Sequence, residues 1–67
     1  MDGYWKIPLM KEIDHLKEEI KKAPHSQQVY NQCSYIRGYI YALNVTGIID
    51  GKTWLSLEEQ LQKLIFW

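Results

Sequence analysis

Apolar residues recur along the chain in three blocks, each with the spacing of one helical face. In the first, Leu9, Ile13, Leu16, Ile20 and Ala23 follow one another at alternating steps of four and three. At about 100° per residue, that spacing puts all five on one side of a helix. The positions between them are mostly Lys, Glu, Asp and His, the composition of a solvated face. Pro8 suits the first helical turn, where its missing N–H costs nothing. Pro24 disfavours helical geometry at Ala23 and ends the segment. The pattern predicts a first helix over residues 8–23, with Glu18 and Lys22 as an i,i+4 ion pair.

The second block repeats the spacing with Val29, Cys33, Ile36, Ile40 and Leu43. Ser26 is placed to cap its start. Gly47 is placed to close its end in left-handed geometry, with Ile48 folding back on the last turn. The predicted helix runs over 26–46. In the third block Trp54, Leu57, Leu61 and Leu64 form the stripe of a helix over 54–66. Thr53 is one candidate cap; Ser56, with Glu59 three residues on, is another. The "DGKT" before it reads as a turn in which Gly51 is free to take positive φ. "VTGII" is β-branched, but it sits between two helical periods and reads as a helix end and an anchoring loop. There is no internal repeat. The expected fold is all-α, a single domain over residues 1–67 built as a small three-helix bundle.

The middle helix is unusual on its other side. Opposite its apolar stripe lie Asn31, Ser34, Gly38, Ala42 and Val45, and three of these form a small row at four-residue spacing. Such a row lets another backbone approach closely. Glycine inside a helix costs about 1 kcal/mol against alanine, so close packing is expected there to offset it. Between Ala23 and Ile49 the only formal charge is Arg37. A helix that is apolar or small all round is a buried helix. The expected interface with a second copy comprises Ser34, Gly38 and Ala42, flanked by Tyr35 and Tyr39. The alternative is a monomer whose first and third helices sandwich the second from both sides.

Length sharpens that expectation. With 67 residues, a domain buries only about 60% of its unfolded surface, and its core is marginal. Cys33 is alone, so no internal disulfide can form, and zinc-ligand spacings are absent. Oligomerisation is the remaining source of extra stability. Eight basic and eight acidic side chains cancel, so the chain lacks the electrostatic footprint of a nucleic-acid binder. Its N-terminus has no apolar core of a signal peptide, and its longest uncharged apolar run falls well short of the roughly 20 residues of a membrane span. A lone thiol without a signal predicts a cytoplasmic protein.

Candidate chemistry is sparse. Tyr30, Arg37, Tyr41 and Asn44 share one flank of the second helix, within about 60° of one another. Two rings beside a guanidinium can hold a planar anionic ligand such as a nucleotide. Alternatively, Arg37 pairs with Glu58, Glu59 or the C-terminal carboxylate. His15 with Glu18 and Glu19 has helical ligand spacing, but without a second His or Cys it reads as a surface face. Cys33 lies on the core stripe with no base to activate it. Paired carboxylates, a Gly-rich phosphate loop and a Ser-His-Asp set are missing, so neither enzymatic activity nor a cofactor is expected. Tyr4, Trp5, Phe66 and Trp67 place aromatics at both ends. They either staple the bundle or form a partner-binding patch.

The stretch from Tyr35 to Leu61 resembles short helical accessory proteins of phages and prophages of Gram-positive bacteria. The positions carrying the resemblance are Gly38, Ala42, Leu43, Gly47, Ile48, Ile49 and Leu57. The resemblance implies a small phage-type protein that binds and inhibits a host protein, with antiviral defence among the targets, in the host cytoplasm. It transfers no catalytic or binding residue. Two other functions fit the residues: an oligomeric sponge that sequesters a signalling nucleotide through Arg37 and the tyrosines, and a structural or regulatory helical adaptor.

Overall fold

The computed structural model describes residues 3–65, and among these the chain forms three helices and no strand. Helix α1 spans Lys6–Lys22, α2 Gln27–Val45 and α3 Gly51–Ile65. The first starts two residues earlier than the sequence suggested. Gly3, at φ +100°, turns the chain so that the Lys6 N–H donates to its carbonyl at 2.9 Å. Pro8 therefore stands third in the helix, still among the residues whose N–H has no intrahelical partner. The expected Glu18–Lys22 pair does not form. Glu18 meets Lys21 and Glu19 meets Lys22, each at 3.6 Å and three residues apart.

Between α1 and α2 the Ser26 N–H donates to Ala23 O at 3.1 Å, closing a turn around Pro24 and His25. His25 has φ 69°, the positive value that a type II turn needs after its proline. Ser26 then caps α2 as expected, its hydroxyl accepting from the Val29 N–H at 3.2 Å. At the other end Gly47 adopts φ +82°. Its N–H donates to Asn44 O at 3.1 Å, and the Ile48 N–H donates to Leu43 O at 2.9 Å. These two bonds make the Schellman closure. The residue that folds back into the core is Ile49, at 6% exposure, whereas Ile48 stays exposed. Helix α3 begins earlier than either Thr53 or Ser56 would allow. Asp50 caps it by accepting from the Thr53 N–H at 2.8 Å, and Gly51 is its first helical residue rather than a positive-φ turn residue.

The predicted stripes meet in the core, except that Ala23 is exposed and Trp5, Ile49 and Ile65, on none of the stripes, are buried in it. Leu16, Val29, Ile36 and Ile40 are the most deeply buried, joined by Trp5, Leu9, Leu43, Ile49, Leu61 and Ile65. Each such aliphatic side chain contributes roughly 1.5–3 kcal/mol through burial. Both α1 and α3 pack on α2 but touch each other only weakly. They lie on the same side of α2, which overturns the alternative of a sandwich around it. The molecule is an elongated slab of 35 × 19 × 15 Å with a radius of gyration of 12.0 Å, above the roughly 11 Å of a closed domain of this length. No helix among the described residues is long and apolar enough to cross a membrane.

Candidate functional site

The one-sided packing leaves the outer half of α2 bare. Ser34, Gly38 and Ala42 are all exposed, and a Cβ built on Gly38 would meet nothing within 4 Å. Beside this row stand Tyr35, Tyr41 and Val45, at 58%, 59% and 63% exposure. No residue of this strip carries a charge. Tyr39, expected at the same interface, is instead half-buried against the core, and its hydroxyl donates to Trp5 O at 3.3 Å. Its place on the helix is 60° closer to the inner stripe than Ala42 on the same flank, by about 100° per residue, and the α1 start comes within its reach.

On the other flank Arg37 reaches across to α3. Its Nε lies 3.4 Å from both carboxylate oxygens of Glu58. The Glu58 side chain is 14% exposed and Arg37 61%. A pair this open adds little stability by itself, yet it fixes where the guanidinium sits. On one side of Arg37 is a hollow of about 130 Å³ between α2 and α3, lined by Tyr30, Cys33, Ser34, Glu58 and Leu61. On the other is a shallower depression bordered by Gly38, Tyr41 and Trp54. The Trp54 indole N–H is buried without a hydrogen-bond partner.

Of the four residues expected to hold a planar anion, the fold brings Tyr30 and Arg37 to the first hollow and Arg37 and Tyr41 to the second. Asn44 joins neither, because its amide donates to Ile49 O at 3.3 Å and braces the α2–α3 loop. The Tyr30 hydroxyl lies 3.5 Å from His25 Nδ1. Cys33 faces the first hollow half-buried. Burial pushes its thiol pKa up, Glu58 adds to that, and the nearby Arg37 charge opposes it. The thiol is therefore held protonated at neutral pH and is a poor nucleophile.

Elsewhere, His15 lines a polar groove between α1 and α2 with Glu12, Glu19 and Tyr35. Gln32 spans that groove, donating to both the carbonyl and the carboxylate of Glu12, at 3.0 and 2.8 Å. Among the described residues no three His, Cys, Asp or Glu side chains are placed to hold a metal ion.

The terminal aromatics divide. Trp5 is a core residue at 9% exposure, with Lys6 Nζ 5.7 Å from its ring centroid, whereas Tyr4 is exposed. Phe66 and Trp67 lie outside the described residues. Ile7 and Met10 in the first turns of α1, and Tyr4 in the turn just before it, are apolar at three-residue spacing and each at 60% exposure or more. The sequence reading missed this strip beyond Tyr4. Its signal was two large apolar residues, Ile7 and Met10, off the inner stripe of α1. No family model matches the chain, and no curated protein or solved structure does either.

Proposed function

We propose that this chain is a non-enzymatic interaction protein that associates with itself through the outer face of α2 and uses that assembly to bind and block another protein. The observation that carries the reading is the bare row of Ser34, Gly38 and Ala42 between exposed tyrosines, with no charge on it. Aromatic enrichment and charge depletion are what distinguish the centre of a protein interface from ordinary surface. The resemblance to phage-encoded helical proteins supplies the setting, in which the blocked protein belongs to the host. The Tyr4, Ile7 and Met10 strip is the surface assigned to it. Sedimentation of the wild type over a concentration series tests self-association. A mass of one chain, 8.0 kDa, at every concentration defeats the reading. Replacing Ile7 and Met10 together by Asp should abolish host-protein binding and leave the assembly mass unchanged.

Nucleotide sequestration is a second reading, favoured by a guanidinium lying between two hollows with a tyrosine on each. Ligand binding to the folded state raises thermal stability by RT ln(1 + [L]/Kd). A nucleotide that shifts the melting temperature of the wild type but not of Arg37→Ala would support it.

A further inference from the structure

We infer that the hollow beside Arg37 is completed by Tyr41 of a second copy of this chain, delivered by antiparallel two-fold packing of α2 on α2 about Gly38. This rests on the reading of the outer face as a self-interface and specifies its geometry. What points to a second copy is a symmetry in the sequence. Around Gly38, the small residues Ser34 and Ala42 stand four positions before and after. Tyr35 and Tyr41, also exposed, stand three before and after. A two-fold interface uses the same patch on both subunits, so the patch must match itself. An antiparallel pair does this residue by residue, placing Ser34 opposite the partner's Ala42 and Gly38 opposite the partner's Gly38.

The flanks follow from the same operation. A two-fold axis perpendicular to both helices inverts position along the helix and keeps each flank on its own side. The partner's Tyr41 therefore arrives three residues before Gly38, on the flank that carries Tyr41 itself. Ser34 and Arg37 lie at that level and on that flank, at the mouth of the hollow. Its volume of about 130 Å³ compares with the roughly 150 Å³ of an apolar cavity that admits a benzene ring. A phenol ring there covers Ser34 and Cys33 and meets the Arg37 guanidinium in a cation–π contact. On the opposite flank the partner's Tyr35 covers Ala42, so each large side chain falls over a small one. A parallel pair exchanges the flanks and carries the partner's Tyr41 away from the hollow. Neither copy brings a charge onto the strip, and Arg37 at its rim is already paired with Glu58, so like charges do not oppose the contact.

The test uses two readouts on the full chain. In a Cys33→Ser background, Ser34→Cys and Ala42→Cys variants are mixed and oxidised. Antiparallel packing gives predominantly the mixed disulfide; a product mixture dominated by 34–34 and 42–42 links overturns the proposal. In the otherwise native chain, maleimide labelling of Cys33 should be slow in the dimer and several-fold faster in Tyr41→Ala. Tyr41→Phe, which keeps the ring, should stay slow, and circular dichroism confirms that both variants fold. Equal labelling of wild type and Tyr41→Ala at a proven dimer mass overturns the placement of Tyr41 and leaves self-association standing. A wild-type chain that sediments as a monomer instead defeats the functional reading itself. Fast labelling of Cys33 in the wild-type dimer that is suppressed by an added nucleotide would give the hollow to a small ligand and also overturn the proposal.

Discussion

The outward faces of α1 and α2 differ in kind, although their inward faces are built alike. Both helices place aliphatic residues at alternating steps of four and three and bury them against each other. Outward, α1 shows Lys11, Asp14, Lys17, Glu18 and Lys21, all exposed. Beyond the exposed Ile7 and Met10 of its first turns, long charged side chains keep their heads in water and need no partner. Outward, α2 shows Ser34, Gly38, Ala42 and Val45 between tyrosines. Exposure alone therefore does not identify a functional surface. A face with neither charge nor long polar side chains gains by leaving water, which is why the proposed self-interface is placed on α2.

The largest expected effect tests the shared part of the comparison. Ile36→Ala and Leu16→Ala remove fully buried side chains from the two inward faces, and each should cost about 2–5 kcal/mol. In a domain this small that is most of the stability, and circular dichroism melts should show both variants largely unfolded near ambient temperature. A small loss for either would mean that its face is not core. The next effect separates the outward faces. Gly38→Leu should abolish the mass of the proposed dimer in sedimentation while helicity is retained, since nothing within 4 Å opposes the new side chain. Lys17→Leu should leave the mass unchanged.

Gly38→Ala is subtler and more discriminating. In an isolated chain it should stabilise α2 by about 1 kcal/mol through helix propensity, raising the melting temperature at low protein concentration. At high concentration it should weaken association, because the added methyl keeps two backbones apart. A variant that gains stability at every concentration would show that Gly38 has no close neighbour in the assembly.

Two smaller effects follow from charge. The Asp50 carboxyl is held below its ordinary value near 3.8 by the hydrogen bond from the Thr53 N–H. A depressed carboxylate contributes stability at pH above its unfolded value, and that contribution is lost as pH falls through the folded one. Asp50→Ala should lower the melting temperature at neutral pH, with the difference from wild type vanishing in acid; Asp50→Asn should keep most of the cap. The smallest effect is on association. Raising ionic strength from about 0.1 to 1 M shortens the Debye length from about 10 to 3 Å. The Kd of the proposed dimer should barely move, since the α2 strip has no charge to screen. A steep salt dependence in sedimentation would shift the interface towards the charged face of α1.

The helices, their inward stripes, the Ser26 cap and the Gly47 closure were legible in the sequence, because each depends on residues within a turn or two. The α3 cap was not read: the sequence pointed to Thr53 or Ser56, and the structure uses Asp50. The glycine after it suggested a turn, and the helix instead starts directly on Gly51. The site was less legible. Periodicity correctly separated Ser34, Gly38 and Ala42 from the core stripe. It could not show that Tyr39 turns inward to Trp5 O or that Asn44 is spent on the α2–α3 loop, because both depend on segments distant along the chain.

By itself, then, the sequence determined which side of each helix is apolar, because that follows from the helical repeat and the identity of each residue. The tertiary structure alone decided that α1 and α3 sit on the same side of α2. That choice depends on how three stripes share one small core, and burying them together leaves no helix to cover the other side. It also selected Glu58 as the partner of Arg37, since a salt bridge between helices is set by their relative placement and not by the spacing along either one.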